Sequence, residues 1–294
     1  MSKQYGLIGL GNMGLPMALN IAKAGLPLCA TDLNPEACKK AEAAGITIYQ
    51  SAKEVAQNSD VVITMLPADR HILAVFEGAE GVIENSRPGA VCIDMTSAKG
   101  ETIRRVANYA KDNGKDIQWL DAPVSGGVAA AEAGTLTIMV GGEEALFNEL
   151  KPYFEAVGKK ITYTGALGSA KDIKMLNQAL NAGNSVVAAE VMVLAKQLGV
   201  NIQTFMDVVN DSSGGSWIFK NNVHRYVNHE HKPGFKLDLM KKDVSLFIES
   251  ARAQGDFTPV LDLVMGVLTA TSNAGHGDQN YTYIAKWIEE QNKI

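Results

Sequence analysis

The stretch GLIGLGNMGLPMALNIAKAG, residues 6–25, decides how the first half of the chain folds. An apolar run leads into Gly9-Leu10-Gly11-Asn12-Met13-Gly14, a G-x-G-x-x-G, and a helical pattern follows at once. In such a turn the first glycine permits the tight bend and the second lets the backbone approach a pyrophosphate. The third lets the helix pack closely on the strand. The helix N-terminus then offers free N–H groups and the positive end of its dipole to the phosphates. Alone the motif is weak, but a second apolar run, PLCATD (27–32), ends in Asp32. That is about the 20-residue spacing at which a carboxylate meets a ribose 2′-hydroxyl. Asp32 would repel a 2′-phosphate, and Leu33-Asn34 supply no arginine to receive one, so NAD is favoured over NADP.

Outward from this unit the pattern repeats. Further strand-like runs are VVITML (61–66), AVCIDM (90–95), IQWLDA (117–122) and TLTIMVG (135–141), with helical patterns at 14–24, 35–44 and 99–113. Alternation of this kind predicts βαβ units and a largely parallel sheet covered on both faces. SAKE (51–54) reads as a capping box that starts another helix. After about residue 165 the strand signals stop. SAKDIKMLNQALNAGNSVVAAEVMVLAKQLGV reads as one long helix of roughly 30 residues, and helical patterns follow at 201–211, 243–254, 258–273 and 280–291. The expected architecture is α/β plus all-α: a Rossmann-type doubly wound domain over 1–165, then a helical domain over 166–294 that begins with the long helix.

Composition excludes several classes. The chain has 294 residues, which suits two domains rather than one core, and a formal net charge of -5. That balance gives no footprint for nucleic acid or an anionic membrane. No run of about 20 residues lacks charge, so no membrane span is expected. The apolar start carries glycines, Asn12 and no cleavage site, which argues against a signal peptide. Three cysteines, Cys29, Cys38 and Cys92, lack metal-ligand spacing and read as reduced thiols of a cytoplasmic protein. His71, His224, His229, His231 and His276 are scattered, and HEH (229–231) lacks the spacing of a helical zinc pair, so all five read as structural or surface residues and no metal is expected.

Two segments carry chemistry. DAPVSGG (121–127) follows the end of an apolar run, where ligands of open α/β sheets bind. Gly126 and Gly127 expose consecutive N–H groups and Ser125 adds a hydroxyl, so the turn could hold a carboxylate, or it could be an ordinary turn. GALGSAKDIKMLNQALN (165–181) carries two lysines. On a helical wheel Ile173, Leu176, Leu180 and Val187 fall on one side and are expected to face a core. Lys174, Asn177, Asn181 and Ser185 form a polar stripe with Gln178 at its edge. Lys174 and Asn177, at i and i+3, are neighbours, whereas Lys171 lies about 120° around from Asn177. The stripe is either solvated or part of a site.

Taken together, GLIGLGNMGLPMALNIAKAG, DAPVSGGVAAAEAGTLTIMVGG (121–142) and the lysine segment resemble the β-hydroxyacid dehydrogenase family over essentially the whole chain. The resemblance implies a Rossmann-type domain, a long interdomain helix and a helical domain, with substrate bound in the cleft between them. It implies a small anionic β-hydroxyacid or semialdehyde as substrate, with Ser125, Gly126 and Gly127 holding its carboxylate. The family pattern G-x-G-x-x-x-K-x-x-N, laid on Gly168 to Asn177, makes Lys174 the catalytic residue and Asn177 the substrate-orienting one. The second glycine is Ala170 here, a departure that bears on local backbone geometry.

Oxidising an alcohol requires hydride transfer to the nicotinamide and removal of the hydroxyl proton. A lysine acts as base only when neutral, and its ordinary pKa is about 10.4. Burial beside positive charge is expected to bring such a group toward ~7–8. By this reading Lys171→Ala has little effect.

By the same resemblance, Leu66 and Pro67 lie along the cofactor. Ser97 meets the nicotinamide ribose or caps the following helix. In GFKLDLMKKDVSLFIESA (234–251), Lys242 is assigned to the cofactor side with Asp243 supporting it, or the pair is a charge cluster at a helix start. SSGGSWIFKNN (212–222) reads as a Gly-Ser loop. Trp217 there, with Phe235, shapes the substrate pocket or belongs to the core. A homodimer or homotetramer is expected from the apolar helical half. The alternatives are a non-catalytic dinucleotide sensor, which needs no base beside a carboxylate cradle, and an imine reductase, in which the lysine would be replaced.

Overall fold

The first half forms the strands of one sheet, the central ones being apolar runs buried at every residue. They are β1 (Tyr5–Ile8), β2 (Leu28–Thr31), β3 (Thr47–Ile48), β4 (Val61–Thr64), β5 (Ala90–Asp94), β6 (Ile117–Asp121), β7 (Val124–Ser125), β8 (Leu136–Gly142) and β9 (Gly158–Gly165). The computed structural model describes residues 3–230 and 234–293, so His231 lies outside the described residues. The sheet order is β3-β2-β1-β4-β5-β6-β8-β7, with β9 on β8. From β3 to β6 every pairing is parallel, which is the doubly wound order with its switch point between β1 and β4. β8 then runs antiparallel to β6 and β7. Leu7, Met17, Ile63 and Ile93 fill the core on one face; Ile8, Val62, Cys92, Phe76 and Ile103 fill it on the other. The Ser51 hydroxyl accepts from Glu54 N at 3.2 Å, as the capping box requires, although the Glu54 carboxylate reaches back to Gln50 N rather than to Ser51 N.

Backbone contacts divide the chain into two bodies, Met1–Lys174 and Met175–Ile294. A 29-residue helix, Ser169–Gln197, runs through the junction. The second body is helical, with Ile202–Asn210, Trp217–Asn228, Leu237–Gln254, Pro259–Thr271 and Ile284–Gln291. Its core is made by Ala182, Val186, Ala189, Met192, Phe219, Val223, Met240, Val244 and Leu268.

Three expectations fail. The stretch 212–222 is not all loop: Ser216 accepts from Phe219 N at 3.0 Å and starts a helix at Trp217. Lys242 and Asp243 lie inside the Leu237–Gln254 helix, whose first turn begins earlier than the apolar pattern suggests. The apolar side of the long helix does not face a core. Leu176 is 50%, Leu180 69%, Val187 55% and Leu194 54% exposed, while Ala179, Ala182, Ala189 and the polar Lys174, Gln178 and Ser185 are buried. Small side chains let this helix approach its neighbours closely, so the face with less apolar volume is the one that packs.

Candidate active site

The G-x-G-x-x-G turn joins β1 to the helix Gly14–Lys23 at the switch point of the sheet. Gly9 has φ of +103°, and a Cβ there would stand 2.3 Å from Met65 O. A Cβ on Gly14 would stand 1.9 Å from Gly9 O, so the helix packs on the turn at a distance only glycine allows. Nothing lies within 4 Å of a Cβ built on Gly11, which leaves its backbone open to a ligand. Met13, at the N-cap, makes no side-chain capping hydrogen bond, and the first turn carries no acidic residue. The residues present therefore fit a dinucleotide pyrophosphate. Asp32 follows β2, where one carboxylate oxygen accepts from Leu10 N at 2.5 Å and the other from Asn34 N at 2.7 Å. Leu33 beside it is fully exposed.

The strand ends next to this turn share a buried polar network. Leu66 N donates to the Thr96 hydroxyl at 2.9 Å, and Thr96 donates in turn to Asp94 Oδ1 at 2.7 Å. Thr64 donates to the same oxygen at 2.6 Å. Ser97 is half-buried and lies two residues before Lys99, the N-cap position of the next helix. Pro67 is exposed and Leu66 half-buried, packed on the apolar face beneath.

Ser125 ends β7, and the chain turns through Gly126 (φ +129°) and Gly127 (φ +67°) into the helix Gly127–Glu132. Two successive residues of positive φ at a strand end favour glycine, the residue that adopts such backbone without strain. A Cβ on Gly126 would strike Ala130, while Gly127 faces open space.

Lys174 is buried, 7% exposed, and Asn177 one turn on is exposed, its amide 3.4 Å from Gln178 Oε1. Gln178 is buried and donates to Asp243 Oδ2 at 2.7 Å, and Lys242 Nζ lies 3.0 Å from Asp243 Oδ1. Thus Asn177, Gln178, Asp243 and Lys242 form one connected set. Trp217 is 71% exposed and belongs to no core; Phe235 is half-buried, its ring 5.8 Å from Tyr281.

Lys171 corrects the sequence reading. Its side chain is fully buried, with Nζ 2.6 Å from Asp94 Oδ2 and donating to Thr96 O at 2.6 Å. Asp121, also buried, accepts from Gly168 N at 2.7 Å and Lys171 N at 2.8 Å. Burial pushes the Asp121 carboxyl up; those two hydrogen bonds and the Lys171 charge pull against it, and Asp94 pushes with it. Asp94, Thr96 and Asp121 were not singled out from the sequence, and Gln178 was read only as the edge of the polar stripe. The available signal was that AVCID and IQWLD each end an apolar strand on a carboxylate. Among the described residues no three His, Cys, Asp or Glu side chains gather as a metal site, and no helix is long and apolar enough to cross a membrane.

Comparison with known proteins agrees with this geometry. Residues 4–165 match the model of the NAD binding domain of 6-phosphogluconate dehydrogenase. Residues 168–288 match that of the NAD-binding domain of NADP-dependent 3-hydroxyisobutyrate dehydrogenase. The chain is 33% identical to the NAD-dependent L-serine dehydrogenase of Pseudomonas aeruginosa, covering 98% of each chain. It is 32% identical to the 2-(hydroxymethyl)glutarate dehydrogenase of Eubacterium barkeri, covering 100% of this chain and 97% of that one. The solved structure of Mycobacterium tuberculosis 3-hydroxyisobutyrate dehydrogenase with L-serine superposes with a TM-score of 0.90 at 32% identity, over 98% of this chain and 99% of that one. With the glycine turn, the carboxylate after β2 and the lysine helix all in place, the chain belongs to the β-hydroxyacid dehydrogenase family of NAD-dependent oxidoreductases.

Proposed function

We propose that this protein interconverts a small β-hydroxyacid and its semialdehyde, with Lys174 as the general acid and base. The observation that carries the reading is a buried lysine on the helix that also presents Asn177, in a chain whose Ser125-Gly126-Gly127 turn brings a hydroxyl and two positive-φ glycines to a strand end. When bound, the nicotinamide supplies or accepts the hydride. The residues of this chain do the rest. Ser125 and the N–H groups of Gly126 and Gly127 hold the substrate carboxylate. Asn177 orients the hydroxyl-bearing end. Lys174 Nζ takes the hydroxyl proton during oxidation and returns it to the carbonyl oxygen during reduction. Trp217 and Phe235 border the substrate, and Gly9 to Gly14, Asp32, Leu66, Pro67, Ser97, Lys242 and Asp243 serve the cofactor. Activity on a panel of 3-hydroxyisobutyrate, glycerate, L-serine and 2-(hydroxymethyl)glutarate, each with NAD and NADP, tests this. NADH binding with no turnover of any hydroxyacid or semialdehyde would sink it.

NAD is the preferred cofactor on this reading, because Asp32 accepts a ribose hydroxyl and repels a phosphate in the same place. Asp32→Ala is expected to lower the NAD/NADP ratio of kcat/KM by at least about tenfold, since a lost charged hydrogen bond contributes roughly 1.5–3 kcal/mol. An unchanged ratio in steady-state assays contradicts the assignment.

The chain is further proposed to self-associate through the outer side of the long helix. Leu176, Leu180, Val187, Val191 and Leu194 follow one another at steps of three, four or seven residues and are all exposed. Residues 175–189 carry no charge at all. Depletion of charge marks interface cores, not solvated faces. In the same body Val260 and Leu263 expose a second apolar face, so a second copy can cover both reciprocally. The helix is about 43 Å long, a scale that suits the roughly 800 Å² per partner of a stable interface. Leu180→Glu with Leu194→Glu is expected to yield monomers in light scattering at micromolar concentration; an unchanged mass would exclude this face.

A further inference from the structure

We propose that Lys171 is a positioning residue for Lys174, acting through its buried ion pair with Asp94; this rests on the reading of Lys174 above. Lys171 is held at two points. Its main-chain N–H goes to Asp121 at the end of β6, and its ammonium goes to Asp94 and Thr96 O at the end of β5. Asp94 and Asp121 are register partners on adjacent parallel strands. A backbone anchor fixes where the helix begins but leaves it free to turn about its axis. An anchor at the tip of a lysine side chain, several ångströms off the axis, stops that rotation. Lys174 is three residues on, so any rotation at Lys171 is carried directly to the proton-transferring group.

The same carboxylate sets a second position. Through Thr96, Asp94 fixes Leu66 N, in the turn assigned to the cofactor. One buried group therefore ties the lysine helix to that turn. A hydrophobic pair could fill this volume with equal or better stability, and setting registry is the best-attested use of a buried ion pair. The Arg104–Asp172 pair, at 3.1 Å, sits on the adjacent residue but is half-exposed and cannot substitute for it.

The test is the double variant Lys171→Met/Asp94→Asn, which removes both charges and keeps the acceptor for Thr64 and Thr96. It is expected to melt cooperatively and to bind NADH within about threefold of the parent. Its kcat should fall about 10- to 100-fold, the size of effect that a misplacement of about 1 Å brings. The primary isotope effect with deuterated NADH should rise as hydride transfer becomes limiting, a readout that a merely structural role would not move. A folded double variant with parental kcat and isotope effect overturns the proposal. Should the double variant not fold, Lys171→Gln, which retains a donor for Thr96 O, is read in the same way, and parental kcat there is equally fatal. Lys174→Ala run in parallel separates the two ideas: if it stays active, the reading of the site fails first. If it is inactive while the double variant is parental, only the positioning role fails.

Discussion

Lys174→Ala is expected to lower kcat by about two to four orders of magnitude, the range that a positioned acid or base supplies. NADH binding should survive, because the phosphate turn and the Asp32 carboxylate are built from residues 9–14 and the end of β2, with no part taken by Lys174. The loss should appear in both directions of the reaction, since one Nζ removes the proton and returns it. Steady-state assays with the best substrate of the panel, alongside a fluorescence titration with NADH, provide the check. Retention of more than a tenth of parental kcat would remove Lys174 from the chemistry.

Lys171→Met is the second large effect, and it falls on stability. The substitution leaves Asp94 fully buried with no cation beside it, while Asp121 lies at the paired position on the next strand. Breaking a buried ion pair from one side costs about 3–5 kcal/mol, most of it from the stranded charge. Urea titration of the parent and the variant at neutral pH should show this loss. Adding Asp94→Asn should return most of it, a coupling that a double-mutant cycle measures directly. Equal midpoints for the parent and Lys171→Met would contradict this expectation.

Much of the architecture could be read from local pattern. The runs at 5–10, 27–32, 61–66, 90–95, 117–122 and 135–141 each contain a strand, since buried parallel strands are continuously apolar. β9 escaped because GKKITYTG is an edge strand with Lys159 and Lys160 exposed, and β3 and β7 are two residues long. The helix at Trp217–Asn228 was obscured by the glycines before it and by a polar surface. The wheel separated the two sides of the long helix but assigned them by side-chain size. Ala179, Ala182 and Ala189 mark the packed side, and the leucines mark the open one. Within the candidate site, the glycine turn and Asp32 could be picked out because their signals, a glycine spacing and a carboxylate after an apolar run, are local in the chain. Lys171 was not: its partner is 77 residues away in the chain, and no periodicity records a pairing that only the sheet creates.

Asp32 has a consequence for anyone who would redesign this enzyme. The carboxylate proposed to read the ribose also accepts Leu10 N, within the glycine turn itself. Selectivity and loop order are therefore not separate traits here. Replacing Asp32 to admit a phosphorylated cofactor also withdraws an acceptor that shapes the turn beneath it. A change of cofactor by this route needs at least two substitutions: a cation for the new phosphate and a new acceptor for the orphaned amide. Evolution of this chain toward the other cofactor would have to pass through an intermediate poor with both.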